Sequence, residues 1–396
     1  MELTIETKKM TKLLEMASRI VSPSSTLPIL AGIRVSANGK LKITATNLES
    51  TIILSSEDYK ADNFDIVLPA KTSLALIKLI EEPTIKMLST EKGKATIIGG
   101  KSKSKMVTFD PSDYPTFVNF HKPDASFTIP QETWELITRL VSFSASKDIA
   151  RPQLNGVHFY SRDGLLNIES ADGFRLSYLK TDILLVDKTD TDDVQKIDFI
   201  LPLSSIIKAA PMLKSDIQVN LYKEEATSLS AKNKQTEPFF NHVVLISKTD
   251  DNVDIEFRSQ IIFGAFPDVA KVIPDEKIIK VKYIAKLSDL RKSINRCKIF
   301  ESKTLVLKGN EDELIISVNN SDIGDSSETL NISQNIGDEK SFVVGYNIQF
   351  MDEIISKING EYIEMSFPHN YAPTVFKSID DNGNYLHVLM PMKIDV

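Results

Sequence analysis

The sequence contains almost no cysteine, and this scarcity excludes a disulfide-stabilised scaffold. Among its 396 residues only Cys297 is a cysteine, so no disulfide can form within one chain. Cys297 shares the apolar side of a predicted helix with Leu287, Leu290 and Ile294, and this position predicts core packing rather than a catalytic thiol.

The sequence also lacks the motifs of metal sites and of common catalytic sites. Its five histidines are scattered, with no His-x-His, no His-Glu-x-x-His and no cysteine pair, so we expect neither a metal nor a cofactor. Residues 95–102 come within one residue of a phosphate-binding loop, but Ala95 replaces the first glycine and an alternating strand pattern follows. We predict a β-turn there, and a similar turn at Asp172-Gly173. The absence of catalytic motifs argues against an enzyme.

Long apolar runs are missing as well. No stretch approaches the length of a membrane-spanning helix, and residues 1–6 lack the basic start and apolar core of a signal peptide. The sequence therefore predicts a cytoplasmic protein that is not associated with a membrane.

The chain has no overall excess of positive charge, since its net charge is −7. The distribution is uneven, because residues 1–122 carry 17 basic and 13 acidic residues, and much of the acid lies in predicted loops. Basic residues are concentrated on the polar faces of predicted helices. Taken alone, this pattern favours ordinary solvated helix surfaces, although it would also suit DNA along one surface.

One arrangement of predicted elements occurs three times along the chain. Each copy begins with a short strand and an amphipathic helix, predicted at residues 8–21, 132–143 and 287–300. A pair of strands follows, then an apolar strand and a second helix that starts near Ser73, Ser204 and Asn347. This period is too long for a solenoid, so each copy is predicted to be a domain with its own core. The predicted fold class is α+β, with domains at residues 1–122, 123–275 and 276–396.

Six short motifs then carry a resemblance to a known family over the whole chain. They are Thr-Leu-Pro-Ile-Leu at 26–30, Thr-Ala-Thr-Asn-Leu-Glu at 44–49, Leu-Asn-Gly-Val at 154–157, Ala-Asp-Gly-Phe-Arg-Leu at 171–176, Phe-Pro-Asp at 266–268 and Met-Pro-Met-Lys-Ile at 390–394. In this order the motifs resemble the bacterial sliding clamps, the beta subunits of DNA polymerase III. The resemblance implies a head-to-tail homodimer forming a ring of six similar domains, with helices lining the hole and antiparallel sheets outside.

The function that this resemblance implies is that of a processivity factor that encircles duplex DNA and holds the polymerase on its template. Contacts with DNA should then involve phosphates and water, without base readout. The implied partners are double-stranded DNA, the DNA polymerase III alpha subunit, the clamp loader, other polymerases and repair proteins, and the implied location is with the nucleoid.

The resemblance also implies three sets of functional residues. The partner-peptide groove is expected to contain Leu154, Ala171, Gly173, Phe174, Arg175, Leu176, Pro267, Lys271, Val272, Val388, Leu389, Met390, Pro391, Met392 and Lys393. The DNA-facing cations are expected to be Lys12, Arg19, Lys71, Lys78, Arg139, Lys147, Arg151, Lys208, Arg291, Arg296 and Lys357. The dimer interface is expected to include Lys71, Ile299 and Phe300.

The sequence departs from the usual family pattern at several positions. Ser24 stands where many clamps have arginine, while Ala171, Phe174 and Lys271 replace a common threonine, histidine and arginine. The central domain also has polar extra sequence near residues 224–256, predicted to form an outer loop or an extended hairpin.

Two other functions remain open from the sequence. One is a nucleotide-handling hydrolase built on duplicated domains, with its site between domains. The other is a scaffold that keeps the ring but serves a plasmid or phage replication system.

Overall fold

The three sequence repeats fold into one recurring order of elements, β-α-β-β-β-β-α-β-β-β, with one short additional strand in the first and in the third repeat. The computed structural model describes residues 1–61, 63–91, 93–116, 120, 122–185, 196–223, 240–310, 312–332, 334–337, 341–369, 371–379 and 384–394. The α+β class and the threefold repetition predicted from the sequence are confirmed.

The bounds of the elements follow the chain. The first repeat contains β1 Glu2–Glu6, α1 Thr7–Ser18, β2 Gly32–Asn38, β3 Lys40–Thr46, β4 Ser50–Ser56, β5 Lys60–Ala61, β6 Phe64–Pro69, α2 Ala70–Lys78, β7 Thr84–Glu91, β8 Lys94–Gly99 and β9 Ser102–Val107. The second contains β10 Ala125–Ile129, α3 Gln131–Leu136, β11 Gly156–Arg162, β12 Leu165–Ala171, β13 Arg175–Leu184, β14 Asp198–Pro202, α4 Leu203–Ala209, β15 Ile217–Lys223, β16 Phe240–Lys248 and β17 Asp254–Gln260. The third contains β18 Val281–Lys286, α5 Leu287–Lys298, β19 Thr304–Gly309, β20 Glu313–Asn320, β21 Gly324–Asn331, β22 Gln334–Gly337, β23 Phe342–Asn347, α6 Ile348–Lys357, β24 Tyr362–Phe367, β25 Thr374–Ser378 and β26 Tyr385–Leu389.

The helices follow their apolar spacing. In α5 the side chains of Leu287, Leu290, Ile294 and Cys297 recur every three or four residues, and all four are buried. The predicted core position of Cys297 is therefore confirmed. Helix α6 begins where the Asn347 side chain accepts the N–H groups of two first-turn residues, which is the usual reason for asparagine at that position.

One predicted helix differs from its regular form. The segment predicted as a helix over 132–143 is α-helical only to Leu136, continues as a π-helical turn at Ile137–Val141 and ends in a 3₁₀ turn at Ser142–Ser144. Ser142 donates a hydrogen bond from its hydroxyl to the Thr138 carbonyl, and such side-chain bonds distort helices locally.

Residues group by contact into two units rather than one per repeat. The first unit, Met1–Trp134 with Ser204–Ile262, holds a sheet in the order β5-β1-β7-β8-β9 and an eight-stranded sheet in the order β10-β15-β16-β17-β4-β3-β2-β6. The eight-stranded sheet is continuous because β17 pairs with β4, with Phe257 opposite Ile52. Strands of the first and second repeats thus share one sheet.

The second unit, Glu135–Leu203 with Phe263–Val396, has the corresponding arrangement. It holds a nine-stranded sheet in the order β14-β11-β12-β13-β26-β25-β24-β18-β22 and a four-stranded sheet in the order β21-β20-β19-β23. Here β13 pairs with β26, with Ser177 opposite His387. All pairings in the described sheets are antiparallel, as predicted.

Several local predictions have a clear outcome. Gly100 and Lys101 form the predicted turn between β8 and β9, so the phosphate-loop-like segment is a hairpin. Within the predicted insertion, residues 240–248 and 254–256 are strand and belong to the central part of the sheet, whereas residues 224–239 lie outside the described residues. Among the described helices, none is both long and apolar enough to span a membrane.

Candidate functional site

A tight turn between β12 and β13 brings one aromatic side chain to the surface. The Asp172 carboxylate accepts the backbone N–H groups of Phe174 and Arg175 at 2.9 and 3.0 Å, and Gly173 supplies a φ of +92°. This turn leaves Phe174 61% exposed. The predicted turn is confirmed, and it positions an apolar ring where a partner can reach it.

Arg175, which is expected to belong to the groove, lies beneath this turn and is buried. Its guanidinium donates to Asp172 at 3.0 Å, to Glu353 at 2.5 Å and to the Phe143 carbonyl at 3.1 Å. It also packs 4.5 Å from the centre of the Phe350 ring. Arg175 therefore fixes the turn to α6 from below.

The predicted groove residues divide into a buried layer and a surface layer. Leu154, Ala171, Leu176 and Val388 pack together with Val269 and Val375 in one apolar cluster, and Leu389 is also fully buried. They form a buried apolar floor, in which Leu176 on β13 lies opposite Val388 on β26. The residues that reach solvent are Gly173, Phe174, Pro267, Lys271, Val272 and Lys393, with Met390, Pro391 and Met392 half-buried. We define these nine residues as the rim.

Residues 390–392 are held by backbone hydrogen bonds to other segments of the second unit. The Met390 N–H donates to the Phe174 carbonyl at 2.9 Å, and the Met392 N–H donates to the Gly345 carbonyl at 2.7 Å. Gly345 is required for this approach, since a Cβ there would overlap the Ile394 side chain. Two flexible methionines are thereby fixed beside Phe174 without being buried.

A buried hydrogen-bond chain lies in the sheet that carries the floor. The Ser144 hydroxyl contacts the Ser177 hydroxyl at 2.7 Å, and Ser177 contacts Nδ1 of His387 at 2.8 Å. His387 is fully buried, its Nε2 has no hydrogen-bond partner, and burial lowers its pKa well below the usual value, with a further contribution from Arg175. The neutral form of His387 is therefore part of the folded state.

A second histidine, His158, packs against Phe266, which in turn contacts the apolar floor. His158 lies between the carboxylates of Glu169 and Asp198, at 2.9 and 3.1 Å, and its ring stacks on Phe266. Burial lowers the pKa of His158, but the hydrogen bonds with Asp198 and Glu169 outweigh that effect, so the pKa is raised overall.

Several of these supporting residues could not be predicted from the sequence. Phe143, Phe350 and Glu353 contact Arg175 from positions far away in the chain, and their residue types are common on helices. Val269 and Ile273 could have been found, because both follow the Phe-Pro-Asp motif at 266–268 within one helical turn or two.

The equivalent junction in the first unit has the same backbone and different side chains. Asn47 accepts the Ser50 N–H at 2.8 Å, Leu48 has a φ of +76°, and the Gln260 N–H donates to the Glu49 carbonyl at 3.0 Å. These features match Asp172, Gly173 and the bond from Met390 to Phe174. The positions of Leu176 and Val388 are then taken by Thr51 and Arg258. A cavity of about 190 Å³ at this junction has a mixed lining, with the polar Thr46, Thr51 and Arg258 beside the apolar Leu48, Pro115 and Phe120.

Three of the predicted DNA-facing cations contact a carboxylate of their own unit. Lys12 on α1 lies 2.5 Å from Asp251 in the turn between β16 and β17, and Lys78 on α2 lies 2.6 Å from Glu15. In the second unit Arg296 on α5 pairs with Glu328 on β21. The hydrogen bonds from Lys12 and from Arg296 lower the pKa of Asp251 and of Glu328.

Two other predicted DNA-facing residues turn inward to the end of α6. Arg139 donates to the Lys357 carbonyl at 2.7 Å, and Arg291 donates to the Ile355 carbonyl at 3.0 Å and to the Ile358 carbonyl. The last carbonyls of a helix have no partner within the helix, and the helix dipole favours a cation there. Arg139 and Arg291 therefore cap α6, and this role accounts for their position.

The remaining predicted cations differ in exposure. Lys208 is half-buried, and burial lowers its pKa. Lys357 is partly exposed at the end of α6. Of these remaining cations, Arg19, Lys71, Lys147 and Arg151 are exposed.

The predicted interface residues differ in their exposure. Ile299 follows α5 and is 72% exposed, whereas Phe300 is half-buried and its carbonyl accepts from Asn320 at 2.9 Å. Lys71 is exposed on α2. Strand β9 ends the first sheet of unit one, and β21 ends the four-stranded sheet of unit two.

The described residues contain no candidate metal-binding site. Within the part of the chain that the structure describes, no three His, Cys, Asp or Glu residues are grouped so that they could hold a metal ion.

Comparison with known proteins gives a consistent result along the chain. Models of the DNA polymerase III beta subunit match in order: the N-terminal domain at residues 1–118, the central domain at 128–268 and the C-terminal domain at 270–393. Among curated relatives, the beta sliding clamps of Rickettsia felis and Haemophilus influenzae are 23% and 22% identical, and each match covers 100% of both chains.

Solved structures show the same fold. The DNA polymerase III beta subunit of Thermotoga maritima superposes with a TM-score of 0.83 at 22% identity, and the sliding clamp of Bacillus subtilis with a TM-score of 0.85 at 19% identity. Both comparisons cover 100% of this chain and of the other.

Proposed function

Because the chain belongs to the family of DNA polymerase III beta subunits, it is a DNA sliding clamp, and we propose how its surfaces serve that role. The observation that carries the assignment is the match of three successive clamp-domain models to three structural repeats of the same order. The alternative of a duplicated-domain hydrolase is not supported by these comparisons. We assign the domains to residues 1–122, 123–275 and 276–396.

Two copies close the ring head to tail by adding β9 of one chain to β21 of the other. Both strands are open edges, which are ready templates for another strand. The β9 edge carries the exposed cations Lys101, Lys103 and Lys105, whereas β21 carries Asp325 and Glu328. Apolar side chains beside these edges supply burial, among them Ile299 near β21 and Val107 at the end of β9, which are both well exposed in one chain. A contact between two different surfaces closes into a ring when its rotation allows it.

The rim is the docking surface for partner peptides, and its nine residues lie above the apolar floor. Phe174, Val272, Met390 and Met392 supply apolar and polarizable contacts that can repack around several peptides. The polymerase alpha subunit, the clamp loader and other polymerases or repair proteins would compete for this surface. At the equivalent junction Thr51 and Arg258 suit an apolar peptide less well than Leu176 and Val388 do, so we place the peptide at the rim.

Contact with DNA is sequence-independent and weak, with retention provided by the closed ring. Residence on DNA places the protein with the nucleoid in the cytoplasm. Replacing Lys12, Lys78, Lys208 and Arg296 together by glutamate should hinder loading and shorten residence, while each single change should do little. A large loss from one single change would point instead to a discrete binding site.

The clamp assignment is tested by topology. Protein loaded on closed circular duplex should remain bound through gel filtration and should leave when the circle is cut once. The protein alone should hydrolyse no nucleotide, since we propose that it is not an enzyme. Retention that is insensitive to cutting, or nucleotide turnover by the purified chain, would contradict the assignment.

A further inference from the structure

Three cations on the helices are already engaged by carboxylates of their own unit. Asp251 reaches Lys12 from a turn 239 residues further along the chain, and Glu15 and Lys78 join the two helices α1 and α2. Glu328 reaches Arg296 from the edge strand β21. Each carboxylate accepts from the cation as a phosphate oxygen would.

These pairs are accessible to solvent, so they can exchange. The side chains of Lys12, Asp251, Lys78, Glu15 and Arg296 are all about half-exposed, and that of Glu328 is 19% exposed. Exposed ion pairs contribute little to stability because water and salt compete for both partners. A phosphate that approaches such a cation therefore replaces one weak partner by another.

We propose that Glu15, Asp251 and Glu328 are internal competitors of DNA phosphates, which keep the helix contacts with DNA weak enough for sliding. This inference rests on the proposed function, since it takes Lys12, Lys78 and Arg296 to face the duplex. A cation must leave its carboxylate before it meets a phosphate, so the net gain of each contact is small. The cation is also pre-neutralised, so fewer counterions are released from DNA on binding.

Other cations of the predicted set provide the contrast. Among the described residues, Arg19, Lys71, Lys147 and Arg151 have no carboxylate within ion-pair distance, and all four are exposed. These residues are free to hold phosphates without exchange. The two sets of cations thus differ in one respect, since Lys12, Lys78 and Arg296 have an internal carboxylate partner and these four have none among the described residues.

The test removes the three carboxylates and compares the result with an equal change of net charge elsewhere. The variant is Glu15→Gln, Asp251→Asn and Glu328→Gln together. The control is Glu81→Gln, Asp250→Asn and Asp325→Asn together. All three residues are exposed: Glu81 follows helix α2, Asp250 lies beside Asp251 in the turn between β16 and β17, and Asp325 lies on β21 with Glu328. Both triple variants lose three negative charges, one of them on the β21 edge of the proposed dimer contact, so long-range attraction to DNA and the loss of charge at that edge are the same in both. Sedimentation checks that both variants remain dimers, and a difference in DNA binding between them is then local.

The measurement is affinity for linear duplex DNA as a function of salt, with diffusion on stretched DNA as a second readout. If all three freed cations contact phosphates, the slope of log K against log salt should steepen by about 0.9 per cation. When the salt concentration is lowered from 0.2 M to 0.05 M, the affinity of the variant for DNA should therefore rise by a factor roughly 40-fold larger than that of the control. The variant should also diffuse more slowly than the control.

Equal slopes and equal diffusion for the variant and the control would overturn the inference. Asp251→Asn alone should raise the affinity for DNA, and adding Lys12→Gln to it should remove that gain. A gain in affinity that persists in the double variant would also contradict the inference. Retention of wild-type protein on closed circles separates this outcome from failure of the proposed function. If the wild type is retained and the two variants behave alike, only this inference fails; if the wild type is not retained, the function itself fails.

Discussion

Replacing Arg175 by methionine should lower the local stability of the paired strands β13 and β26 and weaken peptide binding. Methionine keeps much of the side-chain volume but removes the donors to Asp172, Glu353 and the Phe143 carbonyl. Breaking a buried ion pair costs about 3–5 kcal/mol when the remaining charge stays buried. Glu353 is half-exposed and can be solvated again, so we expect a smaller loss of about 2–3 kcal/mol here.

Hydrogen exchange of the amides in β13 and β26 measures this loss locally. A loss of 2–3 kcal/mol corresponds to roughly 30- to 160-fold faster exchange, because each 1.36 kcal/mol is tenfold. Peptide affinity should fall in parallel, since the turn that presents Phe174 loses its attachment to α6. Arg175→Lys should be intermediate, because one ammonium cannot reach three acceptors in the geometry of a guanidinium.

The matched control is Lys271→Met, which removes an exposed cation from the same rim. It should leave exchange in β13 and β26 unchanged. The interpretation of Arg175 as a support beneath the rim would be refuted by unchanged exchange in Arg175→Met. A loss of peptide affinity with no change in exchange would assign Arg175 a direct contact with the peptide instead.

Three further predictions concern the interface, the rim and the buried histidine. Ile299→Asp with Phe300→Asp should give a folded monomer in sedimentation, because a charge cannot be buried at the proposed edge-to-edge contact, and Ile149→Asp, also at an exposed isoleucine, should remain a dimer. Met392→Asp should abolish binding of an apolar partner peptide and leave the dimer intact. Ile262→Asp, at the equivalent position of the junction in the first unit, should not affect peptide binding. A peptide that still binds Met392→Asp would refute the assignment of the rim as the peptide-binding surface. Because the pKa of His387 is lowered in the folded state, the unfolded state binds the proton at higher pH, and the free energy of unfolding should fall as pH drops below about 6.5. His387→Gln should make the free energy of unfolding less dependent on pH between 7.5 and 5. An unchanged dependence would show that His387 does not cause it.

The regular elements were predictable from the sequence because each has a local cause. Apolar residues at helical spacing marked α5, and its predicted start at Leu287 agrees with the structure. The strand pair predicted after the first helix of each repeat corresponds to β2 with β3, β11 with β12 and β19 with β20. Helix ends were less accurate, since α1 ends at Ser18 rather than Val21.

The arrangement of the sheets was not predictable in the same way. Repetition indicated three separate cores, whereas β4 with β17 and β13 with β26 join strands of successive repeats into continuous sheets. These partners are about two hundred residues apart, and the hydrophobic pattern of a strand does not identify its neighbour.

The site residues show the same limit. Motif resemblance located the floor and the rim together but could not separate them, because burial of Leu176 and Val388 depends on strands paired over a long distance. Charge patterns located Lys12 and Arg291 on helices, yet their partners Asp251 and the end of α6 are set by the tertiary fold. A cation on a helix face was therefore a poor guide to its availability.

Retention on DNA circles is the most direct measurement of the central claim. Labelled protein is loaded by a clamp loader on nicked circular duplex, separated from free protein by gel filtration, and then treated with an enzyme that cuts the circle once. A sliding clamp should elute with the intact circles and be lost within minutes after cutting, whereas Ile299→Asp with Phe300→Asp should never be retained. Protein that stays bound to the cut, linear DNA, or that fails to be retained on the intact circle, would contradict the account.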